Sequence, residues 1–243
     1  MADFYQEDLA YIHDVGHADF ALRSAPGILD MLRENGVSDG LVVDLGCGSG
    51  LWARELTREG YRVLGIDISE AMVEISRRKA PGAEFRVGSL FEAPLPPCDA
   101  VTAISEVLNY LFDPENEERG LERLFGRVHE ALRPGGVFVF DVLGPGQVPL
   151  GTRAKGFRVG EDWAVLSERE EDAGRGTMER RIVSFRKVGE HYRRDGEVHR
   201  VRLYDSGEVE GSLGRAGFEV TTLGAYGDYP LGQNHAAFVA RRP

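Results

Sequence analysis

The sequence predicts an α/β fold: a doubly wound, seven-stranded and mostly parallel sheet, with a small antiparallel β insert. Three observations predict it. Between residues 41 and 143, short apolar runs alternate with amphipathic stretches of helix length, the pattern of strands covered on both faces. A glycine-rich turn, Gly46-Cys47-Gly48-Ser49-Gly50, joins the first of these strands to the next helix. Beyond Pro145 the alternation stops, and strand-like runs follow one another with Gly- and Asp-rich turns between them.

The elements follow in order. Leu9, Ile12 and Phe20, then Ile28, Leu29, Met31 and Leu32, recur at helical spacing, with a break expected at Pro26-Gly27 and an end at Asn35-Gly36. Leu41-Val42-Val43 reads as a buried strand, and residues 51–59 as a helix stopped by Gly60. Residues 62–66 form the second strand, and Ser69 caps a helix that Pro81-Gly82 closes. Strands follow at 84–87 and 100–104, and Asp113 is expected to cap a helix with Pro114 in its first turn, running to Leu132. Val137-Phe138-Val139-Phe140 is the most apolar strand. Strand runs at 157–159, 164–167, 177–187 and 197–204 make the insert; a helix at 207–216 and strands at 218–223 and 235–240 complete the sheet. The expected organisation is a helical lid over 1–40, a core over 41–145, an insert over 146–204 and a completion of the core over 205–243.

Composition narrows the function. The 243 residues carry 29 Lys and Arg against 40 Asp and Glu, a formal charge of −11, which argues against wrapping nucleic acid. Residues 153–202 reverse that sign, with 13 basic and 10 acidic side chains, leaving a local anion-binding surface in play. Two cysteines, Cys47 and Cys98, make no disulfide framework and fit a reducing compartment. The N-terminus lacks the basic and apolar stretches of a signal peptide, and no apolar run nears the ~20 residues a membrane span needs. A cytoplasmic protein, monomeric or homodimeric, is expected.

The strongest motif is Val43-Asp44-Leu45-Gly46-Cys47-Gly48-Ser49-Gly50, followed twenty-one residues after Gly46 by Asp67 at a strand end. Glycines there let backbone approach a ligand, and a carboxylate at the second strand end suits two ribose hydroxyls. The dinucleotide fingerprint would put its third glycine at Leu51, and an acid two positions before the first glycine suits a cationic ligand better than a pyrophosphate. Together with Gly65-Ile66-Asp67-Ile68-Ser69, Arg86-Val87-Gly88-Ser89-Leu90, Leu132-Arg133-Pro134-Gly135-Gly136 and Ala216-Gly217-Phe218, this set resembles the class I S-adenosylmethionine-dependent methyltransferases. The resemblance covers residues 40–143 firmly and the last thirty more loosely.

It implies a Rossmann-like core whose last strand is antiparallel, S-adenosyl-L-methionine as cofactor, and a role for each matching position. Asp44 would lie near the methionine ammonium, with Gly46, Cys47, Gly48 and Gly50 facing the methionine end. Asp67 would hold the ribose hydroxyls. Ile68 and Met72 would pack at the adenine, and the Leu90 amide would meet one of its nitrogens. Ser89 stands where many relatives carry Asp, which implies a weaker contact to the adenine amino group. Ser105 would sit near the methyl donor. The chemistry implied is in-line methyl transfer to N or O of a small molecule.

Catalytic residues are less legible, because methyl transfer needs alignment, exclusion of water and at most one base. Glu106, Asn109 and Tyr110 follow the fourth strand and point to the crevice outside the strand ends, or else to packing. Within Glu197, His199, Arg200, Arg202 and Tyr204, strand periodicity puts Arg200, Arg202 and Tyr204 on one face and His199 on the other. If that stripe roofs the crevice, Arg200 and Arg202 bind an anionic substrate and His199 or Tyr204 takes a proton; otherwise it is a solvated face. In the N-terminal segment Tyr11 and His17 are lid candidates beside Tyr5, His13 and Asp14. His13 and His17, four apart and interrupted by Gly16, form no metal motif, and no metal is expected. Competing readings are a tRNA or protein methyltransferase using the basic insert, a non-catalytic S-adenosylmethionine-binding protein, and an NAD-dependent oxidoreductase.

Overall fold

A computed structural model describes residues 4–116 and 119–243. Helices α1 (Glu7–Gly16) and α2 (Ala18–Glu34) lead into β1 (Leu41–Leu45), α3 (Leu51–Arg58), β2 (Arg62–Asp67), α4 (Glu70–Lys79), β3 (Glu84–Val87) and β4 (Cys98–Ala103). Then come α5 (Gly120–Ala131), β5 (Leu132–Leu143), and the insert strands β6 (Ala154–Val159), β7 (Trp163–Asp172), β8 (Thr177–Val188) and β9 (His191–Arg202). The chain closes with α6 (Ser206–Arg215), β10 (Glu219–Leu223), a small hairpin of β11 (Ala225–Tyr226) and β12 (Tyr229–Pro230), and β13 (His235–Arg241). No helix among the described residues is long and apolar enough to cross a membrane.

The main sheet has seven strands in the order β10-β13-β5-β4-β1-β2-β3. β1 to β5 pair in parallel, and β13 is antiparallel to both β5 and β10. Strand alternation splits the core. Val42 faces Ile28, Leu32, Trp52 and Leu56 on one side, while Val43 and Leu45 face Phe125, Phe138, Phe140 and Leu213 on the other. The order of winding reverses between β1 and β4, which opens a crevice at their C-terminal ends.

Two helix boundaries differ from the sequence reading. Pro26 lies inside α2, and the chain breaks at His17 instead. An interior proline costs about 3 kcal/mol, but burial of Ile28, Leu29 and Leu32 along the same face offsets it. Gly27 is required there, because a Cβ would come 2.3 Å from the Tyr226 backbone. The second difference is at Asp113. Its carboxylate accepts from Glu115 N at 3.0 Å and closes a local turn, and α5 starts only at Gly120. Glu117 and Glu118, within the expected helix, lie outside the described residues.

The insert is a four-stranded antiparallel meander, with β7, β8 and β9 longer than the runs seen in sequence. A polar seam helps fasten it to the core. Asn109 donates to Leu143 O at 3.0 Å and Arg202 O at 2.6 Å while accepting from Leu143 N at 3.1 Å. Tyr110 bridges Val201, and Leu111 N donates to Arg200 O at 2.8 Å. On the opposite flank Leu9 and Ile12 of α1 pack on Trp163 and Val165 of β7.

Candidate active site

A cavity of about 700 Å³ runs from the glycine turn to the inner face of the insert. At its deep end, Gly46 N and Cys47 N donate to Ile66 O, which folds the turn back against β2. Gly46 is left-handed (φ 67°), and a Cβ there would lie 2.7 Å from Val107. Gly48 (φ 52°) leaves open space beside it. Asp67 holds this turn, accepting from Gly48 N at 2.8 Å and from Ser69 N at 2.9 Å. Asp44 accepts from Thr102 Oγ1 at 2.9 Å, and Thr102 in turn accepts from Trp52 Nε1 at 3.1 Å.

Burial dominates the electrostatics of this end. It pushes the Asp44 carboxyl up to about 7, against the Thr102 bond and with help from the Asp67 charge. Asp67 also rises through burial, with the Ser69 and Gly48 amides opposing. Burial raises the Cys47 thiol too, which makes it a packing residue of the turn. Ile68, Met72, Leu90 and Phe91 supply an apolar slot on the same cavity. Gly50 and Ser89 do not line it. Gly50 caps α3, with space for a Cβ closed off by Ser76, and Ser89 Oγ accepts from Phe91 N at 3.1 Å.

Beyond β4 the chain turns through two left-handed non-glycine residues, Ser105 (φ 69°) and Glu106 (φ 56°). Such residues cost on the order of 1–3 kcal/mol each and need a surrounding that fixes them. Asp141, at the end of β5, supplies it. Its carboxylate accepts from Ser105 N (2.7 Å), Glu106 N (2.6 Å), the Tyr226 hydroxyl (2.8 Å) and His235 Nε2 (2.6 Å). Burial alone would lower His235, but the Asp141 bond and charge carry its pKa above the ordinary value.

Several expected positions move. Glu106 is no free base, because the Arg180 guanidinium grips both its oxygens, one of them at 2.9 Å. Asn109 belongs to the seam described above and not to the cavity wall. Arg200, Arg202 and Tyr204 also lie outside the cavity. The Tyr110–Val201 bridge sets the register of β9 so that Glu197, His199 and Val201 face inward. Arg200 therefore points out and pairs with Glu179 at 3.1 Å, and the Tyr204 hydroxyl donates to Asn116 Oδ1 at 3.5 Å. Tyr11 is structural: it donates to Asp162 at 2.9 Å and lies under the Arg186 guanidinium.

His199, Tyr110 and His17 do line the cavity. His199 is buried, its Nε2 sits 2.6 Å from Glu197 Oε2, and its Nδ1 has no partner among the described residues. Phe4, Tyr5, Tyr110 and Phe112 surround its ring at 4.9–5.8 Å between centroids. The N-terminal segment closes over this end. Tyr5 N and Gln6 N donate to the Glu197 carboxylate at 2.8 and 3.1 Å, Ser69 Oγ donates to Tyr5 O, and the Tyr5 and Tyr110 hydroxyls meet at 3.0 Å. His13 and His17 stack at 5.5 Å, and burial pushes His13 down to about 4. Among the described residues no group of three His, Cys, Asp or Glu side chains is placed to hold a metal ion.

Sequence reasoning missed Arg180, Arg169, Thr102 and Asp141. Arg180 shares strand parity with Met178 and Ile182, so an apolar-face count on β8 would have turned it inward. Asp141 carried no local signal, since its partners are up to 94 residues away.

The profile of a methyltransferase-domain family matches residues 42–136, the stretch holding the glycine turn, Asp67 and β4. A methyltransferase of a Geobacillus strain is 27% identical over 201 residues, covering 76% of each chain. The dTDP-3-amino-3,4,6-trideoxy-alpha-D-glucopyranose N,N-dimethyltransferase of Streptomyces venezuelae is 26% identical over 236 residues, 90% of this chain and 93% of that one. The crystal structure of Streptomyces venezuelae DesVI shares the fold, with a TM-score of 0.81 at 22% identity over 98% of this chain and 100% of that one. Residues 42–136 are thus a methyltransferase domain, and the enzyme is S-adenosylmethionine-dependent. The methyltransferase's cavity fits that cofactor on its own geometry. The buried carboxylate of Asp44 and the partly buried one of Asp67 line it, an open left-handed glycine lies beside them, and the slot past Asp67 is apolar.

Proposed function

We propose that the enzyme methylates a nitrogen or oxygen of a small polar molecule enclosed in the cavity it shares with S-adenosylmethionine. The observation that carries this reading is the continuity of that cavity. Its cofactor end, the insert wall and the N-terminal lid bound a single space of about 700 Å³, within the ~300–1,000 Å³ typical of small-ligand sites. The lid is hydrogen-bonded to the insert through Glu197, which narrows the cavity and favours a small acceptor over a tRNA or a protein chain. The relative that spans 90% of the chain acts on an amino sugar nitrogen by its name, which favours a sugar-like amine as acceptor.

Each residue then has a task. Asp44 receives the ammonium of the cofactor and Asp67 its ribose hydroxyls. Ile68, Met72 and Leu90 hold the adenine, and Gly46 and Gly48 admit the methionine portion. When bound, S-adenosylmethionine supplies a methyl group on a sulfonium, open to in-line displacement. Tyr5, Tyr110 and Phe112 exclude water from the acceptor. Glu197 orients His199 through Nε2, so the unpartnered Nδ1 takes the proton that the acceptor releases.

Incubation with S-adenosylmethionine and a panel of nucleotide-linked amino sugars, simple amines, hydroxylated metabolites, tRNA and peptides tests this. S-adenosylhomocysteine release with a small acceptor is expected. Release with tRNA or peptide alone would contradict the reading.

A further inference from the structure

Across the insert, Ala154, Arg169, Arg180 and His199 stand opposite one another in register on β6, β7, β8 and β9. Arg169, Arg180 and His199 all line the cavity. Two guanidiniums side by side on one sheet face repel, and such like-charged pairs destabilise a sheet. Glu106 neutralises Arg180. No carboxylate among the described residues pairs with Arg169, and Glu171, two residues along the same face, is taken up by the amides of Gly146, Gln147 and Val148. Arg180 adds a buried Nε–H with no partner. Among the described residues, a chain of net charge −11 thus keeps two exposed cavity-lining cations with no carboxylate partner, Arg169 and Arg158, the latter donating to Gly16 O, and one unmet donor, on the cavity that Asp44 and Asp67 also line.

We propose that this row is a subsite for an oxyanion carried by the methyl acceptor, a phosphoryl or a carboxylate group, gripped by Arg169 and completed by the Nε–H of Arg180. The inference rests on the small-molecule reading above and adds the acceptor's charge to it. Asp44 and Asp67 line the glycine-turn end and Arg158 and Arg169 the insert end, so a substrate entering between them is oriented with its anionic part against the insert. Guanidinium forks match phosphoryl and carboxylate oxygens in geometry as well as charge.

Calorimetry on the S-adenosylhomocysteine-loaded enzyme tests it, with inorganic pyrophosphate and malonate titrated separately. Saturable binding of either anion at one site is expected, weakened about tenfold or more by Arg169→Gln, with S-adenosylhomocysteine affinity unchanged within about twofold. The anion that binds identifies the class: pyrophosphate a phosphorylated acceptor, malonate a carboxylated one. The variant should also melt no lower than the parent, since it removes a repulsion. Saturation of neither anion, or equal affinity in Arg169→Gln, would overturn the subsite while leaving the cofactor assignment intact. Failure of S-adenosylhomocysteine to bind at the loading step would overturn both.

Discussion

Asp44 and Asp67 are the side chains on which the proposed cofactor site depends; Asp44 is buried and Asp67 partly so, and burial raises both carboxyls above their ordinary range. Loss of the Asp67 carboxylate removes a charged acceptor that two ribose hydroxyls would share, so Asp67→Ala should weaken S-adenosylmethionine binding by about 1.5–3 kcal/mol, tenfold or more. Unchanged affinity in a folded variant would contradict the role. Asp44 makes a pH prediction. At about 7 in the free protein against 3.8 unfolded, it binds more protons folded than unfolded between those values. Its contribution to stability is therefore present at low pH and lost as pH rises through 7. A cationic ammonium needs the ionised form, so S-adenosylhomocysteine binding near pH 6 should release a proton, and affinity should climb toward pH 8. Calorimetry in buffers of different ionisation enthalpy reads this directly; Asp44→Asn should show no such release.

At the level of elements, the turn after β4 is held by β5. Asp141 joins Ser105, Glu106, Tyr226 and His235 in one cluster, and Asp141→Asn would set an amide against donors. A loss of about 2–3 kcal/mol is expected, read as a lower melting temperature, together with a weaker response to any acceptor. A variant as stable and active as the parent would show that the left-handed turn needs no such clamp. The elements differ in how far the sequence reveals them. β1, β4 and β5 are covered on both faces, and their unbroken apolar runs give them away. The insert strands have two partly polar faces, so parity alone decides which side chains turn inward. The stripe of Arg200, Arg202 and Tyr204 looked like a binding face, yet the bridge from Tyr110 to Val201 turns Arg200 outward, and Tyr204, past the end of β9, packs against the core. Likewise Pro26 reads locally as a helix boundary, but tertiary burial of Ile28 and Leu32 carries α2 through it.

For the molecule as a whole, the N-terminal segment and the insert both line one cavity, whose proposed cofactor half was legible in the sequence and whose proposed acceptor half was not. The glycine turn and Asp67 lie within 22 residues of each other and form a local motif, whereas Arg169, Arg180, His199 and Tyr5 converge only through the meander of β6 to β9. Glu197 is the common fastening, accepting from Tyr5, Gln6 and His199. Glu197→Ala should free the N-terminal segment, seen as faster limited proteolysis before α1, and should lower turnover more than cofactor affinity. The central claim is that cofactor and acceptor occupy one continuous cavity between the glycine turn and the insert. A crystal structure with S-adenosylhomocysteine tests it most directly. The account predicts the ribose on Asp67, the amino group on Asp44 and the sulfur turned toward the compartment of Tyr110, Arg180 and His199; a ligand bound elsewhere, or a sulfur turned away from that compartment, would contradict it.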